Sequence, residues 1–315
     1  MLLSFLPTES WVALAILAAA LIGVGGTGEK ILSIRYLPDA TTLMLWLAVS
    51  LIVYSIIFGI LYPFEEGVPA THIAAIFGSG VVYGIAITTF YRILRNTEAS
   101  ISFSIFNTSP LFVAIFALLL LDQSLALLQW GSIILAIIGI MILSSESSEN
   151  TNNKTKMFAI VGLIICAALS AISQVFSGYA LEEVTAENGF WAQRIGALLP
   201  IVLNLKRDSL GKFWSTVKQP RTMIFVLLVE AVILPLAHLS FLSSMKIGSS
   251  VALVSTLFAT APVWVFVFST LLSTGKLKLL NENTHPKRLF IKTIAISVTV
   301  PVSYTHLTLP TIYSV

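Results

Sequence analysis

Residues 99–122 read ASISFSIFNTSPLFVAIFALLLLD, and residues 251–274 read VALVSTLFATAPVWVFVFSTLLST. At an offset of 152 residues, Phe106, Thr108, Pro110, Val113, Phe116, Leu119 and Leu120 fall on identical residues: Phe258, Thr260, Pro262, Val265, Phe268, Leu271 and Leu272. Each stretch is apolar and long enough to cross a bilayer, which takes roughly 20 residues. Each also carries a proline in its interior. An interior proline removes one helix hydrogen bond and frees the carbonyl four residues earlier, here on Phe106 and Phe258. In hydrocarbon such a carbonyl must find a partner or line a wet cavity. A packed kink explains either proline alone. Two helices broken at matching positions in two halves point instead to the central site of a transporter. Pro110 and Pro262 are therefore candidate substrate-site positions.

Composition agrees. The chain has 315 residues, 57% hydrophobic and 10% charged, against about 25% charged in a soluble domain. The net charge of +3 forms no basic face for nucleic acid, because the basic residues sit in loops between apolar runs. The single cysteine, Cys166, lies within an apolar run and allows no intrachain disulfide or thiolate metal site. The N-terminus lacks the basic region of a cleaved signal peptide.

Working outward, spans are expected at Trp11–Gly26, Thr41–Tyr62, His72–Leu94, Ala99–Leu121 and Leu125–Leu143. A polar linker, SSESSENTNNKTK, follows from Ser144 to Lys156. The second half gives Met157–Leu181, Gly189–Leu205, Thr222–Met245, Ser249–Ser273 and a short run from Arg288 to Val300. Five plus five spans place the halves in opposite orientations, the inverted-repeat plan of many secondary transporters. The expected fold is an all-α polytopic membrane protein with ten transmembrane helices. Residues 1–143 form the first five-helix repeat, 144–156 the linker and 157–301 the second repeat.

This plan, with Ser109-Pro110-Leu111, then Leu121-Asp122, then a helix carrying Gly131 and Gly139, resembles the EamA-type transporters of the drug/metabolite transporter superfamily. The resemblance runs from Trp11 to about Val300 and speaks to fold more than to substrate. It implies an acidic residue after the fourth span of each half. Asp122 fills that place in the first half, and Thr274 stands there in the second. It also implies basic residues between the second and third spans, where this chain has Glu65 and Glu66.

Residues 302–315 read as foreign. VSYTHLTLPT, from Val302 to Thr311, resembles the in-frame translation of a transposon-end sequencing adaptor. The expectation is that the native frame departs at about Pro301, which leaves the tenth span truncated. Arg288 to Val300 rises only about 20 Å, against a ~30 Å hydrocarbon core.

No metal-ligand or nucleophilic set is visible, and no catalytic residues, metal or cofactor are expected. Gly23 to Gly28 reads GVGGTG but lacks a preceding strand and a Gly-Lys-Ser/Thr ending, so close helix contact explains it better than phosphate binding. Ser170, Ser173, Gln174 and Ser177 recur at steps of three and four and share one face of the sixth span. That face borders a cavity or bonds a neighbouring helix. Arg194 and Glu230 are charges inside spans, with Pro235 and His238 following. A bare charge at depth raises the free energy by at least ~2.5 kcal/mol, so each needs a partner or water. A structural Arg194–Glu230 pair and a substrate or proton site both satisfy that need. Glu29, Lys30, Arg92, Arg95 and Glu98 sit near span ends, where snorkelling accounts for them. Trp191, Tyr179, Tyr83 and Trp264 either wall a cavity or pack.

The functional expectation is a secondary transporter, an exporter of a small organic metabolite working by alternating access. Its partners would be the substrate, membrane lipid and a proton or other coupling ion, in a bacterial inner membrane. The alternative is a non-transporting receptor or assembly protein on the same bundle. Fifteen of the eighteen Lys and Arg residues lie in or beside the loops that join spans 1–2, 3–4, 5–6, 7–8 and 9–10. The positive-inside rule then puts those loops in the cytoplasm and the N-terminus outside, whereas the EamA resemblance implies cytoplasmic termini.

Overall fold

The computed structural model describes residues 10–97, 99–121, 153–205, 208–248 and 250–273, with isolated positions between 130 and 138. Helix and connecting turns make up all of it, with no strand among the described residues. Seven segments are long and apolar enough to cross a membrane: Trp11–Tyr36, Ala40–Leu61, Ala70–Leu94, Ile101–Leu120, Met157–Ala180, Pro220–Ile247 and Val251–Ser273. Large apolar side chains such as Ile60, Leu119 and Ile224 point outward, as lipid contact requires. This is an integral, multi-pass membrane protein. The expected fifth and tenth spans and the tail at 302–315 fall largely or wholly outside the described residues, as does the linker up to residue 152.

α1 (Trp11–Ile31) starts where Ser10 Oγ accepts a hydrogen bond from Ala13 N and continues through a π-helical turn, Leu32–Tyr36. The helix therefore runs ten residues past the expected end at Gly26. The glycines do not end it because each faces a close neighbour: Trp264 at Gly23, Leu234 at Gly25, Phe103 at Gly26 and Val229 at Gly28. α2 (Ala40–Leu61) is capped by Asp39, whose Oδ1 accepts from Thr42 N at 2.8 Å. α3 (Ala70–Leu94) follows.

The fourth span is two helices, α4 (Ala99–Phe106) and α5 (Ser109–Leu120). α6 (Asn153–Ala180) and α7 (Ala186–Leu203) come next, so the last four residues of the expected linker already belong to α6. α8 (Ser209–Val217) is a short helix that a charged stretch had concealed. Trp46 of α2 holds it, with Nε1 donating to Thr216 Oγ1 at 3.1 Å and its ring 4.7 Å from that of Phe213. The next span is α9 (Pro220–Leu228), a π-helical turn at Val229–Ile233, and α10 (Leu234–Ile247). The last described span is again divided, into α11 (Val251–Phe258) and α12 (Ala261–Ser273).

The two breaks match residue for residue. Thr108 Oγ1 donates to Ile105 O and Thr260 Oγ1 to Leu257 O, each at 2.8 Å. Each proline then sits near the start of the second half-helix, where its missing N–H is tolerated.

Basic side chains gather at one end of the bundle. Arg92 Nη2 donates to Asn204 Oδ1 at 2.8 Å, Arg95 Nη2 to Pro38 O at 2.5 Å, and Lys212 Nζ to Asp39 Oδ2 at 2.7 Å. These bonds tie the connections 1–2, 3–4 and 7–8 together. Burial raises the Asp39 carboxyl, but bonding to Lys212 and Thr42 outweighs it and holds the group below the usual carboxylate range. At the other end, Trp191 Nε1 donates to Tyr62 O at 2.9 Å and Ser244 Oγ to Trp11 O at 2.7 Å.

Candidate functional site

A cavity of ≈ 90 Å³ lies in the bundle, lined from α1, α2, α3, α4, α6, α7, α10 and α11. Phe106 and Phe258, the residues whose carbonyls the two prolines release, are both in its wall. Pro110 and Pro262 are not. They are buried one turn further on, so the prolines shape the site by breaking helices rather than by touching its contents. Ser170, Ser173, Gln174, Ser177, Arg194, Glu230 and His238 all line this one cavity. Of the four aromatics singled out, Tyr83 lines it and Trp191, Tyr179 and Trp264 do not.

Glu230 reaches the cavity through a local distortion. Pro235 has no N–H for the Ala231 carbonyl, and the backbone responds with the π-helical turn at Val229–Ile233. α2 satisfies the loosened carbonyls: Ser50 Oγ donates to Glu230 O at 2.6 Å, and Tyr54 Oη donates to Ala231 O. The carboxylate itself is not satisfied. Glu230 is 2% exposed, and neither Oε1 nor Oε2 has a hydrogen-bond partner. Arg194, on α7, is 4% exposed with Nη2 likewise unpartnered. Its guanidinium carbon stands 4.9 Å from the centre of the Phe190 ring. No ion pair joins Arg194 to Glu230, although each lies within electrostatic reach of the other. The two opposite charges thus face one cavity without neutralising each other by contact.

Glu29 and Lys30 do not snorkel. Glu29 is buried, accepts a hydrogen bond from Tyr91 Oη and lines the cavity. Lys30 is buried against backbone carbonyls of the 3–4 connection. α1 continues beyond Gly26, which puts both residues inside the bundle instead of at its rim.

The polar face of α6 does both things expected of it. Gln174 Nε2 donates to Ser170 Oγ at 3.2 Å, while its Oε1 accepts from Ser255 Oγ at 2.5 Å. Ser177 Oγ donates to Ser79 Oγ at 3.1 Å, and Gln193 Nε2 donates to Ser177 Oγ at 3.0 Å. These bonds join α6 to α3, α7 and α11 and present amide and hydroxyl groups to the cavity. His238 bridges two walls. Leu234 O can only accept, so Nδ1 carries a proton toward it at 2.9 Å, and Nε2 meets the Tyr83 hydroxyl at 3.0 Å. Both ring nitrogens are therefore occupied.

Residues 9–145 match the EamA-like transporter family. An EamA-like half thus covers the first four described spans and the residues expected to form the fifth. No curated protein matches the sequence. Among 28 matching chains of solved structure, one protein crystal structure superposes with a TM-score of 0.63 over 95% of this chain and 97% of its own. The two are 14% identical, so the likeness is one of fold. It spans the second half as well as the EamA-like first.

Sequence reasoning passed over Ser50, Tyr54, Tyr91 and Asn107 and assigned Glu29 to a span end, yet all five also line the cavity. Glu29 had a usable signal: a glutamate directly after a glycine-rich helical face sits deeper than its distance from Trp11 suggests. Ser50 and Tyr54 had none, since isolated hydroxyls on an apolar helix read as packing.

Proposed function

We propose that this protein is a secondary transporter, moving a small organic metabolite outward across a bacterial inner membrane by alternating access. The carrying observation is a pair of buried opposite charges in one cavity, Glu230 with neither oxygen bonded and Arg194 with its Nη2 unbonded. A guanidinium with an open N–H and a carboxylate with both oxygens open match a substrate bearing an anionic and a cationic group. Apolar rings around them, among them Phe90, Phe190 and Phe241, suit a compact apolar body. On this reading Arg194, Glu230, Ser170, Ser173, Gln174 and Ser177 contact substrate, and His238 fixes Tyr83. Pro110 and Pro262 act through the breaks they impose.

Ten spans in two inverted repeats, 1–143 and 157–301, remain our reading of the whole chain. It is supported by the matched breaks at Asn107-Thr108 and Ala259-Thr260. Helix pairing supports it too: a shift of 152 residues carries α1 onto α6 and α3 onto α9–α10, and α1 packs on α10 as α6 packs on α3.

The decisive measurement is the melting temperature of purified protein with small zwitterions, such as free amino acids, and with the same compounds blocked at one end. A true substrate stabilises by about 2.7 kcal/mol at one hundred times its dissociation constant. Zwitterions should raise the melting temperature, while the matching amides and decarboxylated amines should not. Equal stabilisation by analogues lacking either charge would overturn the assignment.

Sidedness follows from the basic end. Clustered Arg92, Arg95 and Lys212 support a cytoplasmic basic end with Trp11 outside. A single cysteine at position 152, in a Cys166→Ala background, should resist an impermeant maleimide in intact cells. Ready labelling there would reverse the orientation.

A further inference from the structure

Two lysines bridge the walls of the cavity, one at each end. One wall pairs α1 with α10, and the facing wall pairs α3 with α6. At the basic end Lys30, the penultimate residue of α1, reaches the end of α3. Its Nζ donates to Leu94 O and Thr97 O at 2.6 Å each and to Arg95 O at 3.3 Å. At the other end Lys246 of α10 reaches the end of α6, donating to Leu181 O at 2.7 Å and Glu182 O at 3.2 Å. The ends are opposite because α1 and α10 run antiparallel, with Ser244 beside Trp11.

A lysine on the last carbonyls of a helix is ordinary capping. Here each lysine caps a helix of the facing wall rather than its own. The 152-residue shift carries Lys30 onto Glu182 and Leu94 onto Lys246. The two bridges therefore occupy the same pair of positions in the two halves, with the lysine on opposite partners. A carbonyl at a helix end can exchange its lysine for water, so breaking such a bond shifts the closed–open balance by only about tenfold. Lys30 also adjoins Glu29, which lines the cavity.

We propose that Lys30 and Lys246 are the two latches of this cavity, each closing one end and releasing in alternation. The inference builds on the alternating-access reading above. Lys30 is buried and Lys246 exposed, so water competes first for the Lys246 bridge, and the end away from the basic loops opens more readily.

The test reads access rather than transport. In a Cys166→Ala background, Ser173→Cys serves as a reporter in the cavity wall, labelled by impermeant maleimide in right-side-out and inside-out vesicles. Lys30→Met should raise the labelling rate from the basic end by about tenfold, the effect of losing one charge-assisted bond, and leave the other end unchanged. Lys246→Met should do the reverse, and Lys30→Arg, which keeps the donors, should restore the original rate. Unchanged rates, or equal rises at both ends, would overturn the proposal. If Lys30→Met does not insert, a bifunctional thiol reagent joining Lys246→Cys to Glu182→Cys must stop labelling from that end alone. Labelling that persists there after cross-linking would also overturn it. Flux measured in parallel in the Cys166→Ala protein with Ser173 retained, since Ser173 belongs to the proposed substrate site, separates the two readings. Side-specific labelling without flux removes transport but keeps the latches, and flux without side-specific labelling removes the latches alone.

Discussion

Arg194→Met combined with Glu230→Leu is expected to leave a folded, inserted protein with no flux. Neither residue forms an ion pair, and both are buried, so each bears a desolvation penalty that no salt bridge repays. Replacing such charges with apolar side chains of similar bulk is often neutral or stabilising by about 1–4 kcal/mol. The double variant should therefore melt at or above the wild-type temperature. Substrate would lose two charge-assisted contacts, and removing one buried charged partner already weakens binding by about 2–5 kcal/mol. Uptake into vesicles should then fall at least ~100-fold, beyond detection in most assays. Wild-type flux in the double variant would return both residues to a structural role.

The same geometry suggests how coupling would arise. A buried carboxylate that accepts either a proton or a cationic group cannot hold both. Occupancy of Glu230 by one would exclude the other, which exchanges protons for substrate. Glu230→Gln keeps the shape and removes the exchangeable proton, so any dependence of flux on an imposed pH gradient should vanish with it. His238 is a weaker candidate than its sequence position implied, because both of its ring nitrogens are committed to Leu234 and Tyr83.

How far the sequence could be read depended on which signals survive without coordinates. Periodicity and hydropathy located seven segments that are long and apolar enough to span, while α7, expected as a span at Gly189–Leu205, is not among them. The doubled proline pattern located both helix breaks, since Phe106 and Phe258 end α4 and α11. The α6 serines and Gln174 were legible because a polar face on an apolar helix has few explanations. Glu29 was misjudged because a glycine run looked like a helix end. The structure shows that those glycines extend α1 by letting Trp264, Leu234, Phe103 and Val229 approach it. The absence of an Arg194–Glu230 ion pair was beyond reach, since it depends on the π-helical turn and on the rotation of α7 against α3.

Gly80→Val is expected to abolish folded protein, and Gly80→Ala to lower the melting temperature by several degrees. α3 and α7 cross with almost no space between their backbones. A Cβ at Gly80 would collide with Gln193 O and lie 2.9 Å from Ala197 N, and one at Gly196 would collide with Phe77 O. The obstructing atoms are main chain in both directions, so no side-chain rotation relieves them, and the helices must separate. Overpacking of this kind destabilises by about 1–3 kcal/mol for one methyl group, more for a branched chain. Separation would also displace Phe190, Gln193 and Arg194, the residues α7 presents to the cavity. Gly211 supplies the control, since a Cβ there meets nothing within 4 Å on exposed α8. Gly211→Ala should stabilise by about 0.4–1 kcal/mol, because alanine loses less backbone freedom on forming helix. The two alanine variants should thus shift the melting temperature in opposite directions. Matching shifts of the same sign would mean that α3 and α7 do not cross at glycine contact, and the placement of Arg194 would fall with it.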